Sequence, residues 1–259
     1  MRHPKAGCLG LLLICMLSAC APQPPAAQRI TVFAAASLTD AVEALADSFE
    51  TRHPDIDVVV SVGASSMLAR QIALGAPAEL LLSAHTDWVA YLAEQRLTEA
   101  EAIAPFTTRL ELISAVPEVG PEALRNWPRA SRLGLADPAQ VPVGLYAREA
   151  LTCMGVWDHL SSAIVPTLNV RATVLTVRQQ AAEAGIVYRS DVHQEADLIV
   201  PNAFPDVCQP SIVYAFALLG RPEQPATAQA QAFFAFLAAA EQVPVWEYFG
   251  FQPTASTAS

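Results

Sequence analysis

The stretch ITVFAAASLTDAVEALADSF, residues Ile30 to Phe49, changes its hydrophobic period partway along, and that change decides the fold. Ile30 to Ala36 is a short apolar run with the length of a buried strand. From Leu38 onward the apolar residues Leu38, Val42, Leu45 and Phe49 share one helical face until Pro54. The alternation continues outward from this unit. Ile56 to Val62 is a β-branched strand, and Met67 to Leu74 is a helix stopped by Gly75 and Pro77. Ala78 to Ser83 is a third strand, and Thr86 is placed to cap a helix through Tyr91 and Leu92. Strands that alternate with helices predict a mostly parallel sheet covered on both faces.

A second set of elements follows. Arg109 to Val116 has the pattern of a strand, and Pro117, Gly120 and Pro121 mark a change of direction, so the first crossing between two lobes is expected nearby. Arg132 to Ala136 is a strand, helices start near Pro142 and at Val170, and Gly185 to Tyr188 is a strand. Ser211 to Leu218 is a late strand, and Thr227 to Ala240 is an apolar helix bearing Phe233, Phe234 and Leu237, with Thr227 at its N-cap. The last two elements are expected to return to the first lobe. The reading is therefore α/β with two lobes, residues 29–108 and 217–253 forming one and residues 109–216 the other. A folded part of about 225 residues suits two lobes of about 100 residues each.

The N-terminus has a secretory plan. Arg2 and Lys5 precede an apolar run from Cys8 to Leu17 that is too short to span a bilayer comfortably. Leu17, Ser18 and Ala19 then lead into Cys20, and small residues before a cysteine suit a lipoprotein signal peptidase. Residues 1–19 are expected to be a lipoprotein signal peptide and Cys20 the lipidated first residue. A signal peptide cut elsewhere, or a short core helix, is the plainer alternative. Residues 20–28, rich in Pro, Ala and Gln, form a tether.

Removal of the leader keeps 13 of the 15 basic residues and all 25 acidic ones, so the formal charge falls from -10 to -12. Such a chain does not bind nucleic acid through bulk charge, and an anionic ligand must be held by local dipoles. Cys153 and Cys208 remain, either as a disulfide or as two buried thiols; their spacing does not choose between these.

Several helices begin directly after a strand or turn with a small or polar residue. A helix start leaves unpaired N–H groups and a partial positive charge, so it attracts an anion without a basic side chain. Ser37 sits at the first such junction, and Ser65 and Ser66 at the second, each adding a hydroxyl donor. Taken singly these serines read as N-caps, and Asp40 could pair with Ser37 in a capping-box-like arrangement. His53, His85, His159 and His193 lack metal-ligand spacing, and no GxSxG, HExxH or phosphate-loop pattern occurs. Trp88, Trp127, Trp157 and Trp246 read as packing residues.

A resemblance enters at the same junctions. The runs ITVFAAASLTDAVEAL from Ile30, SVGASSMLARQIALGAPAELLLSA from Ser61, LADPAQVPVGLYAREAL from Leu135, NVRATVLTVRQ from Asn169 and GIVYRSD from Gly185 resemble the successive signatures of periplasmic molybdate-binding proteins. The closing WEYFGF, ending at Phe251, is similar to their C-terminus. The resemblance implies a two-lobed, type II Venus-flytrap fold with a mixed, mostly parallel sheet in each lobe. It also implies a tetrahedral oxyanion, molybdate or tungstate, held between the lobes by neutral donors alone. Carried over by position, these are the hydroxyl and N–H of Ser37 and of Ser65, the backbone N–H groups of Val143 and Val170, and the hydroxyl of Tyr188.

Against the family pattern, Val143 stands for a smaller alanine, Met67 follows the serine pair, Glu79 replaces an aspartate, and Arg189 replaces a small residue. Arg189 either stays in solvent or reaches the cleft. The expected activity is capture without chemistry, with no cofactor and no metal cation, by a monomeric lipoprotein at the periplasmic or cell-surface side of a membrane. Its partners are an ABC permease and the attached ATPase. The alternatives are another tetrahedral oxyanion such as sulfate, a hydrolase with Ser37 or Ser65 as nucleophile, or an interaction lipoprotein on the same scaffold.

Overall fold

The computed structural model describes residues 28–99, 102–116, 119, 122–193, 196–221 and 223–254. The expected signal peptide and Cys20 lie outside the described residues, as do Pro117, Gly120 and Pro121. Gln28, expected at the end of the tether, is already the first residue of a strand, and its N–H donates to the Asp55 carbonyl at 2.8 Å.

The chain runs through β1 (Gln28–Ala35), α1 (Thr39–Arg52), β2 (Ile56–Gly63), α2 (Ser65–Ala73), β3 (Leu80–Ser83), α3 (Thr86–Glu94) and β4 (Ile103–Thr108). It then passes into β5 (Leu110–Ser114), β6 (Leu133–Ala136), α4 (Pro142–Cys153), α5 (Trp157–Leu160), β7 (Ile164–Thr167), α6 (Val170–Arg178) and β8 (Ala184–Tyr188). It returns through β9 (Ile212–Leu218), α7 (Ala228–Ala238), α8 (Val243–Tyr248) and β10 (Gln252–Pro253).

Two sheets organise these elements, one ordered β10-β4-β9-β3-β1-β2 and the other β5-β8-β6-β7. In the second sheet β6 pairs in parallel with β7 and β8, and β5 is the antiparallel edge. The first sheet is mixed, with β1, β2, β3 and β4 running one way and β9 and β10 the other. β1, β2 and β3 are parallel, but β9 enters antiparallel between β3 and β4, and β10 adds antiparallel to β4. The reason is the chain path: β9 arrives from the other lobe rather than over a crossover helix, so nothing forces it parallel. The expected return to the first lobe at residue 217 falls inside β9, which is paired in the first sheet from Ile212.

The period change at Leu38 is realised as a single 3-10 turn over Ala36–Leu38 before α1. Val42, Leu45 and Phe49 of α1 are buried, and the Phe49 ring lies 5.0 Å from Phe233 of α7. α2 and α3 bury Leu68, Ile72, Val89 and Leu92 in a second core with Phe33 and Leu81. Truncating a side chain such as Phe49 to alanine costs about 3–5 kcal/mol. Gly75, at a φ of +99°, ends α2 as the sequence predicts. Thr227 caps α7, accepting from the Ala230 N–H at 3.2 Å. The cap of α3 is His85 rather than Thr86, its Nδ1 accepting from the Asp87 N–H at 3.2 Å.

Arg109 alone separates β4 from β5, and Gln209, just ahead of β9, holds the next residue at both backbone groups: its Oε1 accepts from the Leu110 N–H at 3.1 Å and its Nε2 donates to the Leu110 carbonyl at 3.0 Å. The outgoing and returning connections between the lobes thus run side by side, as a hinge requires. In the second lobe a disulfide joins Cys153, at the end of α4, to Cys208. No helix among the described residues is long and apolar enough to cross a membrane.

Candidate functional site

The carboxyl ends of β1, β2, β3 and β8 converge with the N-termini of α4 and α6 on one cavity between the lobes. Open α/β sheets bind ligands beyond the carboxyl ends of their strands. The cavity is small, about 20 Å³, far below what a drug-sized ligand needs. Ser37, Ser65, Val143, Val170 and Tyr188 all line it, together with Ala35, Ala36, Gly63, Ala64, Ala84, Val141, Pro142 and Asn169. None of these carries a charged side chain. A larger recess lined by Pro77, Glu79, Arg221 and Thr227 lies elsewhere and gathers none of the five.

The first lobe contributes hydroxyls. Ser37 is buried in the 3-10 turn, and its Oγ lies 2.8 Å from the Tyr214 hydroxyl. Ser65 opens α2, and its Oγ accepts from the Ala84 N–H at 3.0 Å. Neither serine is a side-chain cap: α1 and α2 are preceded by Leu38 and Ala64 without a cap bond. Ser66 is buried but does not line the cavity.

The second lobe contributes helix starts. Val143 is the second residue of α4, after Pro142, and Val170 is the first of α6, after the N-cap Asn169. The Asn169 side chain accepts from the Ala172 N–H at 2.9 Å, so capping does not consume the N–H groups of the first turn's leading residues. Gly144 lets α4 come close: a Cβ there would lie 2.3 Å from the Ala136 carbonyl oxygen. Val143 is thereby seated against the end of β6 in a way that only glycine next to it permits.

Tyr188 ends β8, and its buried hydroxyl has no hydrogen-bond partner among the described residues. Burial holds its pKa well above the ordinary phenol value, so it remains a neutral donor. An orphaned buried hydroxyl is costly, at about 1–3 kcal/mol, unless something at the cavity accepts from it.

Charge stays out of the cavity lining. Arg171, next to Val170, pairs with Asp40 of α1 across the lobes and with Asp191 at 3.1 Å. Asp40 is thus engaged by arginine rather than boxed with Ser37. Burial pushes the Asp191 carboxyl up to about 7 against the opposing pull of Arg171. A second pairing across the lobes joins Arg70 Nη1 to Gln140 Oε1 at 2.6 Å. A third stacks His85 on Tyr146 with ring centroids 4.9 Å apart, and desolvation lowers the His85 pKa. Arg189 takes neither expected course in full: it is half-exposed, bound to Glu111 at 2.8 Å, and outside the cavity lining. Glu79 accepts from Thr227 Oγ1 at 2.6 Å and has no part in the cavity.

Sequence reading missed Asn169, Tyr214 and the Arg171 cluster. Asn169 had a local signal, a cap residue before an apolar-periodic helix. Tyr214 had none, because its contact with Ser37 spans 177 residues. Among the described residues no group of three or more His, Cys, Asp or Glu side chains is placed to hold a metal cation.

Residues 30–252 match the family described as bacterial extracellular solute-binding protein. The chain is 35% identical over 236 residues, 86% of its length and 88% of the relative's, to the molybdate-binding protein ModA of Escherichia coli. It is 33% identical over 205 residues, 75% of its length and 79% of the relative's, to the molybdate-binding protein ModA of Haemophilus influenzae. Its fold superposes on the periplasmic molybdate-binding protein of Azotobacter vinelandii with a TM-score of 0.75, at 24% identity over 86% of this chain and 98% of that one. In sequence across both lobes and in the two-sheet fold that carries its cavity, the chain belongs to the bacterial extracellular solute-binding protein family, as a homologue of ModA.

Proposed function

We propose that this protein captures molybdate outside the cytoplasm, with tungstate as a near-equal competitor, and delivers it to an ABC permease whose transport is driven by an attached ATPase. One observation carries the reading: Ser37, Ser65, Val143, Val170 and Tyr188 line a single small cavity that has no charged side chain. A desolvated dianion there receives charge-assisted hydrogen bonds from hydroxyls and helix N-termini, strong enough to hold it and weak enough to release it. The relatives named for molybdate support the choice among oxyanions. Hydrogen phosphate brings a proton that backbone N–H groups cannot accept, and sulfate is smaller.

The protein acts by binding and not by catalysis. A serine nucleophile needs a base beside it, whereas the neighbours here are the Tyr214 phenol for Ser37 and the Ala84 N–H for Ser65. Closure comes from rotation about the hinge, with the ligand touching both lobes. The protein works as a monomer, tethered to the membrane through lipid on Cys20.

Calorimetric titration of the domain from Gln28 onward with molybdate, tungstate, sulfate and phosphate tests the reading. Tight one-to-one binding of the first two alone is expected. Binding of sulfate or phosphate in preference to molybdate overturns the ligand, and binding of none overturns the site.

A further inference from the structure

We infer that Tyr214 is a positioning residue for oxyanion capture, its phenol donating to Ser37 Oγ so that the serine proton is aimed into the cleft. The inference rests on the reading of the cavity as an oxyanion site. Tyr214 is not part of the cavity lining, so it acts through Ser37 and not on the ligand.

A serine hydroxyl carries one proton. With Ser37 Oγ and Tyr214 Oη 2.8 Å apart, only one of the two can donate in that contact. If Ser37 donates to Tyr214, it turns only lone pairs toward the cleft, and a dianion meets negative charge. If Tyr214 donates to Ser37, the serine proton is left for the anion. An oxyanion therefore selects the second arrangement, and the chain from phenol to serine to anion polarises itself along its length. Burial keeps Tyr214 protonated, so the donor persists over the whole working range of pH.

The scaffold suits this role. Ser37 occupies one 3-10 turn between β1 and α1, which by itself fixes its rotamer poorly. Tyr214 stands on β9, held between β3 and β4, with its ring edge-on to Phe251 at 5.1 Å. The rigid sheet thus orients a hydroxyl in a turn. Ser65 repeats the device with a backbone donor, since the Ala84 N–H occupies a lone pair of its Oγ and leaves its proton for the cleft. Both cavity serines are built with a donor behind and a proton in front. Only the one behind Ser37 is a side chain, and so open to substitution.

The test is molybdate titration of Tyr214→Phe alone, in a Ser37→Ala background and in a Ser65→Ala background. Circular dichroism and the ligand-free thermal midpoint establish that each variant is folded. Tyr214→Phe is expected to weaken binding about five- to tenfold, the scale of one lost hydrogen bond. It should cost nothing further once Ser37 is alanine, yet the same factor once Ser65 is alanine. A loss of equal size in all three backgrounds would mark a general packing effect and overturn the inference, as would full affinity in the single variant. If the wild-type protein binds none of the four oxyanions, the reading of the cavity fails before the variants are compared, so the two failures are distinct.

Discussion

The two walls of the cleft offer the same chemistry by different means. The wall from the first lobe presents the hydroxyls of Ser37 and Ser65, and each is held by a hydrogen-bond partner from elsewhere in the lobe, the Tyr214 hydroxyl or the Ala84 N–H. The wall from the second lobe presents the N-terminal turns of α4 and α6, whose donors are aimed by helix geometry itself, with Tyr188 beside them. Side-chain donors need a network to orient them, while backbone donors at a helix start need only the helix. The first wall is therefore tertiary in origin and the second is local.

The largest expected effect tests whether the second wall stands on its own helices. Replacing Cys153 and Cys208 together by alanine removes the clamp at the far end of α4 and should cost about 2–4 kcal/mol of stability, read as a lower thermal midpoint. Molybdate affinity at 25 °C should hold; a large loss would mean that the α4 start depends on distant bracing.

Val170→Pro comes next. Position one of a helix accepts proline, and Asn169 before it is already extended, with φ -162° and ψ 179°. The substitution deletes one N–H with the helix kept, so affinity should fall by about 1.5–3 kcal/mol, roughly ten- to a hundredfold, with little change in stability. Ser65→Ala sharpens the contrast. It leaves the buried Ala84 N–H without its partner, so it should lower affinity and also stability, the latter by about 1–3 kcal/mol. Stability loss in Val170→Pro without loss in Ser65→Ala would reverse the assignment of local and tertiary walls.

The rim gives smaller effects. Asp40→Asn breaks one link between the walls, but both partners are partly exposed, so the cost should stay within about 1 kcal/mol. Small-angle scattering of the ligand-free protein should report a more open form.

The pH dependence follows from two groups with opposite signs. His85, half-buried between Tyr146 and its own helix start, has its pKa lowered from 6.5 by desolvation, against the opposing pull of Asp87 and Glu149. Its contribution is fully present above 6.5 and is lost as the pH falls through its depressed value, so acid should favour opening, and His85→Gln should flatten that response. Asp191 is raised from 3.8 to about 7, so its contribution is fully present below 3.8 and is lost as the pH rises toward 7. Asp191→Asn should remove that decline from the thermal midpoint measured between pH 4 and pH 7.

The elements that carry local signals were legible in advance. The period change at Leu38, the helix starts near Pro142 and at Val170, and the cap at Thr227 placed elements that the structure contains. β4, β7 and the antiparallel insertion of β9 were not legible, because short strands with few apolar residues carry little period and pairing partners lie far apart in sequence. The same division runs through the site. Val143 and Val170 follow from where helices begin, whereas Tyr214 behind Ser37 and the Arg171 link to Asp40 join residues 177 and 131 positions apart.

What the sequence by itself determined is the α/β alternation and the junctions at which strands hand over to helices, since these depend on interactions within a few residues. Only the tertiary structure decided which junctions meet, which group stands behind each serine, and which carboxylates pair with the arginine beside Val170. Those outcomes depend on groups brought within hydrogen-bond reach by the packing of two sheets, and nothing in the local chain encodes that distance.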